Sequence, residues 1–209
     1  MAQTYEAAKQ VLESRPIAEA TKVVRPDRGF IDLMISWSGA VVAILLIALG
    51  AAAIYGGSFA QSNVRDRLQP QHISFPPASA MTAQERAEVG TFAGQTVDTG
   101  TEAEAFSRYI AGHLREVNNG ATYSETSAAA RAEGVAPKVA ADLQAKAAVL
   151  FQGETLRSIL LNAYGWWTVG TIAMWAGIGA AIAGLLLAMF VGLGFMHARK
   201  ERAKIPALQ

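Results

Sequence analysis

The sequence predicts an all-α membrane protein, a helical hairpin of two transmembrane helices with a helical extracytoplasmic domain between them. Three observations predict it. The 209 residues are 52% hydrophobic, and much of that apolar content falls in two runs without a charged residue. Those runs, "LMISWSGAVVAILLIALGAAAIYGG" at 33–57 and "WWTVGTIAMWAGIGAAIAGLLLAMFVGLGFM" at 166–196, each exceed the roughly 20 residues that a helix needs to span hydrocarbon. The stretch between them has nearly balanced acids and bases and repeated helix-start signals.

The elements follow in order. Residues 1–32 form an N-terminal tail of mixed charge. Within it, Tyr5, Ala8, Val11 and Leu12 share one side of a short helix expected over 2–14, able to lie on a membrane or meet a partner. The first run, 33–57, is the first span. It begins too far into the chain and runs too long for the apolar core of a cleaved signal sequence. Helix is the form that lets a backbone in lipid satisfy its own hydrogen bonds.

Residues 58–165 are expected to form the extracytoplasmic domain. Its opening "LQPQHISFPPASAM", with Pro70, Pro76 and Pro77, reads as extended or turn-like chain. Thr82 with Glu85, Thr101 with Glu104, and Thr122 with Glu125 each match a capping box, in which hydroxyl and carboxylate satisfy free amides at a helix start. Gly94, Gly100, Gly120 and Gly134 punctuate element ends. Phe106, Tyr109, Ile110, Leu114 and Val117 recur at three and four residues and fall on one helix face. From Pro137, a residue suited to a first helical turn, a last helix is expected to run toward the second span. Val139, Leu143, Ala147, Leu150 and Phe151 lie on one side of it, and Gly165 marks a bend. Large apolar side chains are few, so the domain is expected to lean on the spans or on neighbouring subunits.

The second span is 166–196, followed by a tail at 197–209. Small residues recur every four positions along this span at Ala176, Ala180, Gly184, Ala188 and Gly192. Such a ridge lets helix backbones approach closely, and we expect it to pack against a helix of this chain or of a neighbour. The first span carries Ala48, Ala52 and Gly56 at the same spacing. Trp37, Trp166, Trp167 and Trp175 fall near span ends, where amphipathic rings settle at the headgroups.

Orientation follows from the cations. Lys22, Arg25 and Arg28 precede the first span, and Arg199, Lys200, Arg202 and Lys204 follow the second. Arg65, Arg67 and Arg157 flank the other ends. The excess predicts a plasma-membrane protein with both termini cytoplasmic.

Several chemistries find no support. The net charge of +1 and the balance of signs give no footprint for nucleic acid. With no cysteine, disulfides, thiolate metal sites and cysteine nucleophiles are excluded. The sequence has no GxSxG elbow, phosphate loop or dinucleotide fingerprint. Neither apolar run holds a charge, which argues against a proton-coupled pump. His72 and His113 would need Glu116 or Asp142 beside them to make a two-histidine, one-carboxylate iron site, and neither sits in a ligand motif. We therefore assign no catalytic, cofactor or metal residue. Glu154 and Arg157, three apart on one helix face just before the second span, are an orienting ion pair or the lining of an ion vestibule.

The segments "FAGQTVDTGTEAEAFSRYIAGHL", "GATYSE" and "LFQGETLRSILLNAYGWWTVG", in that order between two spans, resemble an actinobacterial family of small two-span membrane proteins. The resemblance covers residues 60–196. Members carry the label of aromatic ring-opening dioxygenase subunit, but the residues here offer no iron site to match it. What the resemblance implies is the two-span topology. The expected function is non-catalytic, a self-associating assembly or an accessory subunit of a larger membrane complex in the lipid bilayer. A homo-oligomeric pore is the alternative, and a metal-dependent enzyme the third.

Overall fold

The computed structural model describes residues 28–203 of the chain, and side chains from 30 to 200. The helix expected over 2–14 and the cations Lys22, Arg25 and Lys204 lie outside the described residues. Among the described residues five α-helices follow in order: α1 (Arg28–Leu68), α2 (Ala83–Val89), α3 (Gly100–Val117), α4 (Tyr123–Ala130) and α5 (Pro137–Ala203). Among the described residues there is no strand. One isolated bridge joins Ser74 to Thr96.

The two long helices, of 41 and 67 residues, extend about 60 and 100 Å at 1.5 Å per residue. Both contain stretches long and apolar enough to cross a membrane. α1 continues eleven residues past the apolar run, through "SFAQSNVRDRL", because nothing there breaks a helix until Pro70. Proline disfavours helical backbone in the residue before it, and the chain turns through a single 3-10 turn at Gln69–Gln71, closed by His72 in left-handed conformation. Gly165, where a bend is expected, lies within α5, which runs as one unbroken helix. Glycine in a helix interior costs about 1 kcal/mol relative to alanine, too little to break a helix supported on both sides.

The chain divides into two compact units, Met1–Val41 with Leu187–Gln209, and Val42–Leu186. In the larger unit α1 and α5 run antiparallel with their backbones in contact. A Cβ built on Gly50 would lie 2.7 Å from the Gly177 carbonyl oxygen, and one on Gly57 2.5 Å from that of Gly170. One on Gly184 would lie 3.0 Å from the carbonyl oxygen of Ala43. The contacting positions recur every seven residues in both helices: 43, 50 and 57 against 184, 177 and 170. A seven-residue repeat is the period at which two helices keep one seam facing each other. Beyond its end, Gln61 Nε2 donates to Thr171 Oγ1 at 2.9 Å. In the smaller unit Ser36 is buried, a Cβ on Gly39 would meet Val191, and one on Gly194 would meet the Ser36 hydroxyl. Trp37 stands edge-on to Phe195 at 5.9 Å.

The segment between the long helices builds a small core on them. Phe75 is its hub, with Phe92 stacked at 5.5 Å and Phe106 edge-on at 5.1 Å. Around it lie Met81, Val89, Val97 and Ala103, with Val64 and Leu68 from α1 and Leu160 from α5. The bridge at 73–76 and 94–97 seats Phe75: its N–H donates to Gln95 O at 2.9 Å, and Val97 N–H donates to Ile73 O at 2.8 Å. Phe106, Tyr109 and Ile110 of α3 pack on this core, as their spacing predicts. On α5 the expected face divides. Ala147 and Leu150 are buried, whereas Val139 and Phe151 are exposed, and Phe151 lies beside Tyr123 at 5.5 Å.

Capping boxes open α2, α3 and α4. Two use the expected pairs, Thr82 with Glu85 and Thr122 with Glu125. The third is Thr99 with Glu102, not Thr101 with Glu104. The earlier pair starts α3 at Gly100, which lies flat against the Trp167 side chain where a Cβ would collide, while Glu104 pairs with Arg108 at 2.9 Å. Gly100 is thus a packing glycine. Gly94, Gly120 and Gly134 take positive φ and end their elements.

The hydrogen bonds to Thr82 hold the Glu85 carboxyl below its ordinary value of 4.5, and those to Thr122 do the same for Glu125. Each carboxylate binds its proton less tightly in the folded chain. Its stabilisation is therefore present above pH 4.5 and is lost as pH falls through the lower folded value. Amide exchange at Thr82 and Thr122 should accelerate in that acid window beyond the intrinsic pH trend, and in Glu85→Gln or Glu125→Gln chains the extra acceleration should be absent.

Candidate functional site

Where α1 and α5 extend past their glycine seam, a cleft of ~790 Å3 opens between them. That volume falls within the range of ligand pockets, about 300–1,000 Å3. Its walls come from the last three turns of α1 and from 156–166 of α5. Val64, Leu68 and Leu160 form its floor and are also members of the core behind it. Phe59 and Ile159 are exposed on its sides, and Trp166 stands at the end nearest the apolar runs. Gly56 lines the same end, with open space where a Cβ would be.

Polar groups are set among the apolar ones along the rest of the cleft. Asn63, Arg67, Gln71 and Asn162 line it, and Arg67 is the one charged residue on the walls among the described residues. Arg67 Nε donates to Asn63 Oδ1 at 3.0 Å, one helical turn back toward the apolar run. Arg65, two residues earlier, sits instead over the Trp167 ring at 5.8 Å.

Glu154 and Arg157 are brought together as the spacing predicts. The guanidinium meets both carboxylate oxygens, at 2.7 and 2.8 Å. Arg157 Nε also donates to the Ser107 carbonyl at 3.2 Å, which ties α5 to α3. The pair lines neither this cleft nor the recess described next. Exposed pairs contribute about 1 kcal/mol or less, so Glu154→Gln should lower the unfolding free energy by no more than that. Arg157→Ala, which also removes the bond to α3, should cost more. Thermal unfolding of both variants in detergent measures the difference.

A second, shallower recess of ~270 Å3 lies between α2 and α3. His113 Nε2 lies 3.2 Å from Glu85 Oε1 and its ring stands edge-on to Tyr109 at 4.5 Å. Burial, and then the Glu85 charge, push the Tyr109 hydroxyl up. Glu88 faces Arg115 at 3.9 Å. Two carboxylates of the recess are thus paired, and Glu85 already serves its helix cap, while Glu116 lines the recess outside these pairs. Among the described residues no group of three or more histidine, aspartate or glutamate side chains converges as metal ligands would.

Of the expected ridge, Gly184 is buried in the seam and Ala180 is half-buried, whereas Ala176, Ala188 and Gly192 are exposed. Within the chain, α1 and α5 meet along the seven-residue stripe instead. Gly56, in the matching pattern of the first span, is exposed, and the contact glycine is its neighbour Gly57. A four-residue spacing drifts around a helix of 3.6 residues per turn, so it leaves a straight contact line after two or three steps. The signal that finds the seam is the match of two seven-residue patterns, one in each apolar run. Trp166 and Trp167 also part company. The first is exposed, while the second packs on Gly100 and the core.

Comparison with protein-family models, with curated proteins and with solved structures gives no match to this chain.

Proposed function

We propose that this chain is a two-span plasma-membrane protein, both termini cytoplasmic, whose outer helical domain serves a non-catalytic assembly, as a self-associating unit or as an accessory subunit of a larger membrane complex. The observation that carries the reading is the outward apolar surface of the two long helices. In their most apolar windows only 11% and 6% of residues are buried. Ile44, Leu49, Ile172 and Leu185 are all more than 60% exposed. A monomer in water rarely exposes apolar patches beyond a few hundred Å2, and a core helix would bury this surface. Lipid covers it without cost, while the small residues of the seam hold the two helices to each other.

The exposed Ala176, Ala188 and Gly192 are then free for a helix of another chain. Outside the apolar runs, Tyr123 and Phe151, side by side at 5.5 Å, are also exposed and offer a small patch for a protein partner. The two-span actinobacterial family resembled by the sequence fits the same topology.

Gentle detergent purification followed by native mass spectrometry tests the assembly reading. The expected result is a fixed multiple of the chain mass, or a stoichiometric larger partner. A strictly monomeric chain, or a ring of copies that conducts ions in a planar bilayer, would overturn it. A reporter fused near Glu125 should be active only outside the cytoplasm.

A further inference from the structure

We propose that the cleft between the extended ends of α1 and α5 holds one anionic phospholipid of the surrounding bilayer, with its acyl chains along the apolar wall and its phosphate on Arg67. The proposal rests on the membrane reading above and goes beyond it by assigning a ligand and a site.

Along α1 the lining passes from Phe59 to Asn63 and then Arg67, apolar to cationic, in the order of a phospholipid. Toward the apolar runs the cleft offers Phe59 and Trp166, both exposed. Further along it offers Arg67, with Asn63 and Asn162 as neutral hydrogen-bonding neighbours and Leu68, Ile159 and Leu160 on the apolar wall at the same level. No acidic residue lines it, and none of the ion pairs among the described residues engages Arg67. A guanidinium in this setting favours a negatively charged partner and presents a fork suited to phosphate oxygens.

The height also agrees. Arg67 is ten residues beyond the end of the apolar run, but its bond to Asn63 draws the guanidinium back by a turn. It then stands about 9 Å past Gly57 at 1.5 Å per residue. A headgroup layer of several ångströms lies on each side of the hydrocarbon. A zwitterionic choline lipid would bring an ammonium group to a site with no carboxylate to receive it, so the expected preference is for a net negative headgroup.

The test uses the full chain in detergent micelles doped with equal amounts of phosphatidylglycerol and phosphatidylcholine, with retained lipid counted by native mass spectrometry. Wild type should retain one phosphatidylglycerol per chain, preferred about tenfold over phosphatidylcholine, the order a charge-assisted contact gives. Arg67→Gln should still bind lipid but lose the preference. Gly56→Phe places a ring in the space now open above that glycine and should abolish the adduct, with helix content by circular dichroism unchanged.

Equal retention of both lipids by wild type, or a preference that survives Arg67→Gln, would overturn the proposal. So would a cleft covered by a second copy, seen as a dimer cross-linked between cysteines placed at Phe59 and Ile159. Flotation with vesicles separates the two levels. A chain that stays out of the vesicles overturns the membrane reading and this one together, whereas an embedded chain that retains no phosphatidylglycerol overturns this one alone.

Discussion

Gly57→Leu should pry α1 from α5, while Gly56→Leu, one residue away, should not. The first substitution places a side chain where a Cβ alone would lie 2.5 Å from the Gly170 carbonyl oxygen and 2.9 Å from the Met174 nitrogen. Those atoms are backbone and cannot swing aside, so the helices must separate along the seam. Overpacking typically costs 1–3 kcal/mol, occasionally more. A fixed backbone obstacle puts this case at the upper end, about 3 kcal/mol. At Gly56 a side chain meets nothing within 4 Å, and leaving glycine in a helix interior favours folding by roughly 0.5–1 kcal/mol. Thermal unfolding in detergent measures both. Because the chain has no cysteine, a disulfide between Gln61→Cys and Thr171→Cys reports the contact directly. It should form readily beside wild-type Gly57 and beside Gly56→Leu, and poorly beside Gly57→Leu. Equal cross-linking in all three would show that the seam does not depend on glycine.

Trp167→Ala should loosen the segment between the long helices, and Trp166→Ala should leave it intact. Trp167 packs against Gly100 at the start of α3, joins the core around Phe75, and lies under the Arg65 guanidinium. Truncating a core tryptophan costs about 3–5 kcal/mol. Trp167 is only half-buried, which places the loss near the lower figure. Removing it leaves Gly100 without its facing surface and frees the first turn of α3. Limited proteolysis should then cut within 69–136 at protease concentrations that spare wild type, and amides of α3 should exchange faster. Trp166 is 58% exposed and lies outside that core, so Trp166→Ala should keep wild-type resistance. Identical digestion of the two variants would count against the packing described for Trp167.

Much of this fold is legible in the sequence because the governing forces are local or strongly periodic. The two apolar runs give the long helices. The Thr-x-x-Glu pattern marks every cap of the short ones, and the proline cluster after Leu68 marks the end of α1. Ambiguity enters where two local patterns overlap. Thr99 with Glu102 and Thr101 with Glu104 both satisfy the cap rule, and the contact of Gly100 with Trp167, distant in sequence, selects between them. The ridge at Ala176, Ala180, Gly184, Ala188 and Gly192 illustrates a different limit. In a helix this rich in alanine and glycine nearly any spacing finds small residues, and only the paired seven-residue pattern in the other helix singles out Gly170, Gly177 and Gly184. The cleft is the least legible feature. It exists because α1 and α5 continue as helices beyond their shared seam, and neither Arg67 nor Asn63 carries a motif.

The glycine seam also leaves one matter undecided by itself. Its contacts are backbone on backbone, repeated at a fixed interval, so sliding one helix by seven residues, about 10.5 Å, would set Gly50 against Gly170 and present nearly the same surface. Apolar contact alone discriminates poorly between these alignments. The choice falls to the unrepeated features beside it, the Gln61–Thr171 hydrogen bond and the seating of Trp167 on Gly100. The segment between the two long helices thereby acts as the index that sets how they line up, not merely as cargo they carry.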